Sequence, residues 1–165
     1  SSNFNFSGVV FSRKSKNIID YVKKNENDLW KASNIGSLNT RGYELDLSYS
    51  FLGKDFSSNT FSLGYSNLKD DNYVSNVNYS QYSLNSIKSH FISKLNINYK
   101  KIHLSTVFKY VKRADNSNYS VLDTKVSYKS FFVNVNNILD EVYSETNLVP
   151  MPARNLLLGY VFKVD

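Results

Sequence analysis

The sequence predicts an all-β fold, an antiparallel up-and-down transmembrane β-barrel segment of about nine strands. Three observations support this fold class. Apolar and polar residues alternate with a period of two along most of the chain, and helical periodicity is nearly absent. The connections between the predicted strands alternate between short and long. The face opposite the apolar residues carries charges such as Glu44, Lys94 and Asp123, which suit a wet lumen better than a sealed core.

The alternation defines the strands in order along the chain. They cover residues 3–13, 18–24, 40–51, 59–68, 87–99, 102–112, 119–129, 131–137 and 155–164. The short connections are 14–17, 52–58, 100–101 and the turn near 130, and the long ones are 25–39, 69–86, 113–118 and 138–151. Alternate connections of a meander lie at the same end, so short turns gather at one end and long loops at the other. Bacterial outer-membrane barrels have this asymmetry.

Composition agrees with strands in a single domain. Of 165 residues, 13 are Tyr and 11 are Phe, and aromatic residues favour strands. Several aromatic residues, including Tyr43, Phe51 and Tyr99, lie near predicted strand ends, where an interfacial girdle would place them. No cysteine is present, which excludes disulfides and thiolate metal sites. The longest apolar run, 156–162, is far shorter than the roughly 20 residues of a membrane helix.

The net charge of +6 is compatible with nucleic acid, an anionic membrane surface or an acidic ligand. Nucleic-acid binding calls for clustered cations, whereas the 20 Lys and Arg residues are spread along the chain. We therefore expect no nucleic-acid partner.

The end of the chain resembles the TonB-dependent outer-membrane receptors. Residues 137–143, N-I-L-D-E-V-Y, are similar to that family's N-L-F-D-x-x-Y segment, with Ile138 for Leu and Leu139 for Phe. Residues 150–154, P-M-P-A-R, resemble the P-G-R that precedes the last strand, with Ala153 in place of Gly. That replacement is notable because glycine is the residue that most readily adopts a positive φ.

Three further segments carry the resemblance. Residues 34–49 look like the family's N-x-G … R-G-x-E-L-x-L-x-Y strand, and residues 119–123 are similar to the strand before the last hairpin. Gly159, Phe162 and Val164 resemble the C-terminal signal read by the barrel-assembly machinery.

The resemblance implies a function and a location. Family members form a barrel of about 22 strands around a plug, and residues 1–165 would be its C-terminal part, with the plug and earlier strands absent. The receptor would sit in the bacterial outer membrane, in contact with lipid and lipopolysaccharide. It would import a scarce nutrient complex (a ferric siderophore, haem or cobalamin), with energy supplied through the plug by a TonB-type coupling protein. No cofactor is implied.

Two alternatives remain open at this stage. One is a self-contained small outer-membrane barrel that acts as an adhesin or structural anchor. The other is a soluble β protein that binds a ligand in its interior. The fragment interpretation predicts that the edge 156–164 is left open, whereas a closed barrel would pair this strand with residues 3–13.

No catalytic constellation is visible, and we expect no enzyme and no metal site. His90 and His103 are isolated in sequence, and lumen-lining roles are expected for them. Asp70 and Asp71 are too few for calcium and are expected in a solvated loop. Glu44 and Asp46 are expected to set the electrostatics of the lumen.

Loop aromatics and cations are the candidate ligand contacts, because Tyr and Trp give stiff amphipathic surfaces and Arg binds anions in a fork. They are Trp30, Tyr73, Tyr79, Tyr82, Arg113, Tyr143 and Arg154. The competing interpretation is that they belong to the girdle or bind anionic lipid headgroups. Arg154, in the P-G-R position, is expected to organise the last loop.

Overall fold

The structure is a computed structural model and describes residues 3–34, 36–55, 57–73, 79–80, 87–146 and 149–162. The described residues form strands and connections, with no helix. The strands are β1 (Asn3–Lys16), β2 (Ile19–Lys23), β3 (Lys31–Asn34), β4 (Ser37–Leu52), β5 (Ser58–Tyr73), β6 (Tyr79–Ser80), β7 (Ile87–Tyr99), β8 (Ile102–Arg113), β9 (Asn118–Tyr128), β10 (Phe131–Asn136), β11 (Ser144–Thr146), β12 (Val149–Pro150) and β13 (Asn155–Tyr160).

Eight of these strands form one antiparallel sheet in the order β1-β4-β5-β7-β8-β9-β10-β13. Neighbours in this sheet follow one another along the chain once the loop strands are set aside, which is the meander expected of an up-and-down barrel segment. The fold class is therefore confirmed. In the described part of the chain β1 and β13 do not pair with each other, as the open-edge prediction requires.

The predicted strand 18–24 and the predicted turn 14–17 are wrong as parts of the barrel sheet. β1 continues to Lys16, which pairs with Ser37, and the Asn17 amide donates to the Gly36 carbonyl oxygen at 2.6 Å. β2 pairs instead with β3 and β6 in a separate three-stranded sheet. The sheet thus has eight strands rather than nine. Eight strands of alternating direction return the chain to the end of the sheet at which it began. The start of β1 and the end of β13 therefore both lie at the end where residues 53–57 turn.

The predicted asymmetry of the connections is present. Residues 53–57, 100–101 and 129–130 connect strands at one end, here called the short-turn end. At the other, the loop end, the connections are 17–36, 74–86, 114–117 and 137–154, of which only 114–117 is short. β5 extends to Tyr73 and shortens the predicted loop 69–86.

Cross-strand register places the apolar residues on one face. Phe6, Leu47 and Leu63 are successive partners across β1, β4 and β5, and Phe108 and Leu122 continue the row on β8 and β9. This apolar face comprises Phe4, Phe6, Val10, Tyr43, Leu45, Leu47, Tyr49, Phe51, Phe61, Leu63, Tyr65, Phe91, Leu95, Leu104, Phe108, Tyr110, Leu122, Val126, Tyr128, Phe131, Val133, Leu156, Leu158 and Tyr160. The opposite, polar face carries Asn5, Ser7, Glu44, Asp46, Ser48, Ser62, Ser66, His90, Lys94, Asn96, Lys109, Asp123, Lys125 and Asn134.

Aromatic pairs lie at both ends of the apolar face. Phe131 and Tyr160 meet edge to face at the short-turn end, with ring centroids 4.8 Å apart. Tyr43 and Tyr65 are 5.9 Å apart toward the loop end. Aromatic residues at both ends of an apolar band are typical of a membrane barrel, although Phe6 and Phe108 show that aromatic residues also lie in the middle of this one.

The apolar face encloses no core: its side chains are exposed on the edge strands β1 and β13 and exposed or half-buried on the inner strands. Phe6 is 64% exposed and Leu158 67%. The buried hydrophobic residues of the described chain are Val22, Leu38, Val111, Tyr119 and Val121, and none of them belongs to the apolar face. A soluble β protein of this size buries its apolar face, whereas a membrane barrel turns it to lipid.

No helix among the described residues is long and apolar enough to cross a membrane.

Candidate functional site

The loop end holds most of the described side chains that the sequence predicts as ligand contacts. Two structures occupy it: the last loop, residues 137–154, and the small sheet β3-β2-β6. The first folds over the polar face of β8 and β9, and the second joins two long loops.

Asn137 organises the last loop from a buried position and is 2% exposed. Its amide nitrogen Nδ2 donates to the carbonyl oxygens of Glu141 at 2.9 Å and Pro152 at 3.2 Å, and its Oδ1 accepts from the Glu141 amide at 3.0 Å. The backbone amide of Asn137 donates to Asp123 Oδ1 at 2.7 Å, which fixes the loop to β9. Its φ of 51° is one that Asn tolerates better than most residues.

Asp140 joins the two segments of the last loop, residues 137–143 and residues 150–154. Its φ is also positive, at 57°. Oδ1 accepts from the backbone amide of Arg154 at 2.9 Å, and Oδ2 lies 3.4 Å from an Arg154 guanidinium nitrogen. Arg154 also donates to the Ile138 carbonyl oxygen at 3.4 Å. Through these contacts Arg154 organises the last loop.

Charged and aromatic contacts hold the last loop against the polar face. Lys109 Nζ on β8 lies 2.8 Å from Glu145 Oε1. Arg113 donates to the carbonyl oxygens of Ser144 at 2.9 Å and Glu145 at 2.6 Å. The Tyr143 ring stacks on Tyr119 with centroids 4.6 Å apart. Burial raises the pKa of the Tyr143 phenol, and the nearby Glu145 carboxylate raises it further.

These contacts cover a small cluster of buried apolar side chains on the polar face of the sheet. Tyr119 packs with Val111 and Val121 on the polar face, and Tyr143 covers them. His90 lies on the same face, opposite Val111, and its buried Nε2 has no hydrogen-bond partner among the residues that the structure describes. No group of three or more His, Asp or Glu side chains in the described chain is placed to hold a metal ion.

The small sheet brings Trp30 and Tyr79 together around one lysine. Lys23 Nζ lies 5.1 Å from the Trp30 ring centroid and 5.2 Å from that of Tyr79, within the range of cation–π attraction. It also donates to the Glu26 carbonyl oxygen. The buried Asp20 accepts from the Ser80 hydroxyl at 2.5 Å, so β6 is attached to β2 at a second point.

A cavity of about 460 Å³ lies on this sheet. Its lining combines three lysines, one carboxylate and two aliphatic side chains, in the set Val22, Lys23, Lys24, Asp28, Leu29, Lys31 and Ser33. The excess of positive charge beside apolar surface suits a small anionic molecule with an apolar or aromatic part.

The predicted ligand contacts therefore fall into separate groups. Trp30 and Tyr79 meet on the small sheet, whereas Arg113, Tyr143 and Arg154 belong to the last loop. The backbone of Tyr73 ends β5 opposite Ser37. Tyr82 lies outside the described residues. The alternation predicted that Lys109 lies on the polar face, but not that it meets Glu145. No pattern in the sequence pointed to Lys23, Asp20 or Glu145, because each acquires its partner through the fold.

Gly159 and Phe162, two residues of the predicted assembly signal, occupy different environments. Gly159 lies opposite Phe132, whose ring covers it so closely that a Cβ atom would fall 2.1 Å from the ring Cζ. Lys125 Nζ lies 4.6 Å from the same ring. Phe162 is exposed beyond the end of β13, and Val164 lies outside the described residues. Gly159 thus has a packing reason of its own, and the assembly role stays a prediction.

A network of polar contacts joins two turns at the short-turn end. Asp55 accepts from the Ser57 hydroxyl at 2.6 Å and from the Lys100 amide at 2.5 Å, which joins the β4–β5 turn to the β7–β8 turn. These two hydrogen bonds, that from the Ser57 side chain first, lower the pKa of Asp55 to about 2. The Asn98 amide donates to the buried Asn59 side chain at 2.6 Å and extends the network.

A family model described as TonB dependent receptor-like, beta-barrel, matches residues 1–138. The matched part contains β1 to β10, seven strands of the eight-stranded sheet, together with the small loop sheet. β13 follows the match and pairs with β10 in regular register. A comparison with curated proteins finds no match.

Proposed function

The chain belongs to the TonB-dependent receptor family, as part of its β-barrel, and on that premise we propose that it forms the C-terminal section of the wall of an outer-membrane active transporter. The carrying observation is the inverted sheet. From Tyr43 to Phe51 one face of the sheet is apolar and at least partly exposed, and the charges at the same height, Glu44, Asp46 and Lys94, lie on the opposite face. Such a sheet is stable where lipid covers one face and water fills the other.

The open sheet supports a place within a larger barrel. β1 and β13 each leave one edge without a partner in the described chain, and unpaired backbone groups are costly in lipid. Further strands of the same receptor, in the same or a separate chain, would pair with both edges. A barrel of about 22 strands with a plug in its lumen is the proposed whole.

The proposed cargo is a scarce nutrient complex such as a ferric siderophore, haem or cobalamin. The lysine-lined cavity beside Trp30 and Tyr79 supports an anionic cargo with aromatic or apolar parts. Energy would reach the plug from a TonB-type coupling protein, and the described residues supply wall and loops rather than bond chemistry.

Uptake by cells tests this proposal. Cells that carry the full-length receptor are offered radiolabelled ferric siderophores, haem or cobalamin, with and without the energy-coupling protein. We expect accumulation of one cargo only when both proteins are present. Binding without any coupling-dependent accumulation, for every cargo offered, would contradict active transport.

Two loop variants test the ligand surface. Lys23→Gln removes the cation held between Trp30 and Tyr79, and should weaken cargo binding about tenfold if the ligand is anionic. Lys54→Gln, an exposed lysine in a turn at the opposite end, is the matched control and should bind as the wild type does. Equal cargo affinities of the two variants would show that this cavity does not bind the cargo.

A further inference from the structure

The last loop has a base and a tip that are held in different ways. The base is anchored by the buried side chain of Asn137, which is 2% exposed. The tip, residues 143–146 and 149–151, is a small hairpin in which β11 pairs with β12. The Met151 amide donates to the Tyr143 carbonyl oxygen at 2.8 Å and continues that pairing. Because its own hydrogen bonds hold it together, the tip forms a unit separate from the base.

The tip supplies acceptors to two cations of β8. The Glu145 carboxylate lies 2.8 Å from Lys109 Nζ. Arg113 donates to the carbonyl oxygens of Ser144 at 2.9 Å and Glu145 at 2.6 Å. Ammonium and guanidinium groups both bind carboxylate oxygens strongly. The tip therefore occupies positions that the carboxylate of a ligand would also fill.

The tip also supplies the flat partner of a buried aromatic ring. The Tyr143 ring stacks on Tyr119, with centroids 4.6 Å apart and planes inclined by 29°. Tyr119 is 7% exposed and packs with Val111 and Val121, so the surface beneath Tyr143 is apolar. A planar ring of a ligand would make the same stacked contact with Tyr119.

The contacts of the tip with the polar face are replaceable. The side chains of Lys109 and Glu145 are 28% and 40% exposed, and an ion pair so exposed contributes little to stability. His90 lies across from Val111, two positions from Lys109 along β8, and its buried Nε2 finds no acceptor or donor in the described part of the chain. A buried polar atom without a partner is costly. The tip thus covers this face without satisfying all of its polar groups.

We propose that the tip is a built-in occupant of a cargo site on the polar face, and that a planar ring carrying a carboxylate displaces it. The carboxylate of the cargo replaces Glu145 at Lys109, and the ring replaces Tyr143 on Tyr119. The tip keeps the site covered until such a cargo arrives. This inference rests on the proposed function, because only a transporter brings cargo to the lumen side of the sheet.

Haem and its dimethyl ester provide a matched pair of probes. Haem is a planar ring that carries carboxylates, and the ester keeps the ring but lacks their charge. Binding is measured on the full-length receptor reconstituted in lipid bilayers, with receptor-free bilayers as the background. We expect the wild type to bind haem about tenfold more tightly than the ester, from one charged contact with Lys109. Equal affinities would overturn the assignment of a carboxylate ligand.

The sign of one substitution separates competition from direct contact. Glu145→Gln weakens the hold on the tip, so haem should bind about threefold more tightly, the size of a partly exposed ion pair. Adding Lys109→Gln should remove that gain, because the ammonium group that the haem carboxylate needs is gone. The control Glu141→Gln removes the same charge from the same loop, leaves the Lys109 pair intact and should keep wild-type affinity. Weaker or unchanged haem binding in Glu145→Gln, or an equal gain in the control, would overturn the proposal.

Spin labels report whether the tip moves. Val149→Cys lies on the tip and Asn118→Cys at the start of β9, and both positions are exposed. Adding haem should lengthen the distance between the two labels. An unchanged distance with haem bound would overturn the displacement of the tip.

Two further readouts keep the outcome interpretable. Heat-modified mobility on gels reports whether each variant folds. Tyr143→Ala uncovers the Tyr119 ring, should also raise haem affinity, and replaces Glu145→Gln if that variant does not fold. A receptor that accumulates a cargo with the energy-coupling protein but fails these tests overturns this inference alone. Absence of coupling-dependent accumulation for every cargo overturns the proposed function.

Discussion

Replacing Asn137 by Ala should release the last loop from the polar face. The substitution deletes three side-chain hydrogen bonds, two to carbonyl oxygens and one from an amide. At about 1 kcal/mol each, these amount to about 3 kcal/mol. Ala at a φ of 51° adds roughly 1 kcal/mol. The free energy of local opening of residues 137–154 should therefore fall by about 4 kcal/mol.

Hydrogen exchange measures that opening. If the loop opens locally, the Glu141 and Arg154 amides should exchange about a thousandfold faster in Asn137→Ala. Asn155→Ala is the control, because Asn155 is exposed and its side chain makes two hydrogen bonds within the described part of the chain, one with Asn136 and one with the Ala153 carbonyl oxygen. At about 1 kcal/mol for each of its two hydrogen bonds, its effect should stay within about 30-fold. Equal effects of the two variants, or unchanged protection in Asn137→Ala, would show that the buried Asn137 side chain does not hold the last loop in place.

Three other substitutions or titrations test separate parts of the structure. Leu47 lies midway between Tyr43 and Phe51 on the apolar face, and Leu47→Arg should lower the free energy of unfolding in vesicles, measured with urea, by about 2–4 kcal/mol. The control Ser48→Arg, on the polar face, should lower it by less than about 1 kcal/mol. Equal losses would contradict the assignment of the two faces. Gly159→Val should displace the Phe132 ring at a cost of about 1–3 kcal/mol, and the additional change Phe132→Ser should restore part of that loss. The pKa of Asp55 in the folded protein is about 2, below its ordinary value of 3.8. The stability that its hydrogen bonds confer is therefore present above about pH 4 and is lost as the pH falls toward 2. An NMR titration of Asp55 with a midpoint near 4 would contradict those hydrogen bonds.

The two faces of the sheet could be predicted from the sequence, because strand side chains alternate and one period of two repeats across neighbouring strands. Tyr43, Leu45 and Leu47 alternate with Glu44 and Asp46, and the register keeps them in rows with apolar partners on β1 and β5. Alternation does not reveal the partner of a strand. Residues 18–24 have the β-branched and aromatic residues of a strand, yet β2 pairs with β3 and β6 in a loop.

The candidate site was predictable only in part for the same reason. Trp30 and Tyr79 are 49 positions apart, and only the pairing of β2 with β6 brings them to Lys23. The resemblance of residues 137–154 to a family motif marked the last loop, but only the structure shows why Asn137 and Asp140 occupy it. Both adopt a positive φ and use their side chains to bind the loop backbone.

Contact of the apolar face with lipid can be measured directly. The chain contains no cysteine, so single Cys substitutions at positions 44 to 49 can be spin-labelled without background within it. In the reconstituted receptor, collision rates with oxygen, which concentrates in lipid, should peak at Leu45→Cys, Leu47→Cys and Tyr49→Cys and fall at the even positions between them. A profile without this period of two, or with its maxima at Glu44→Cys, Asp46→Cys and Ser48→Cys, would contradict the account.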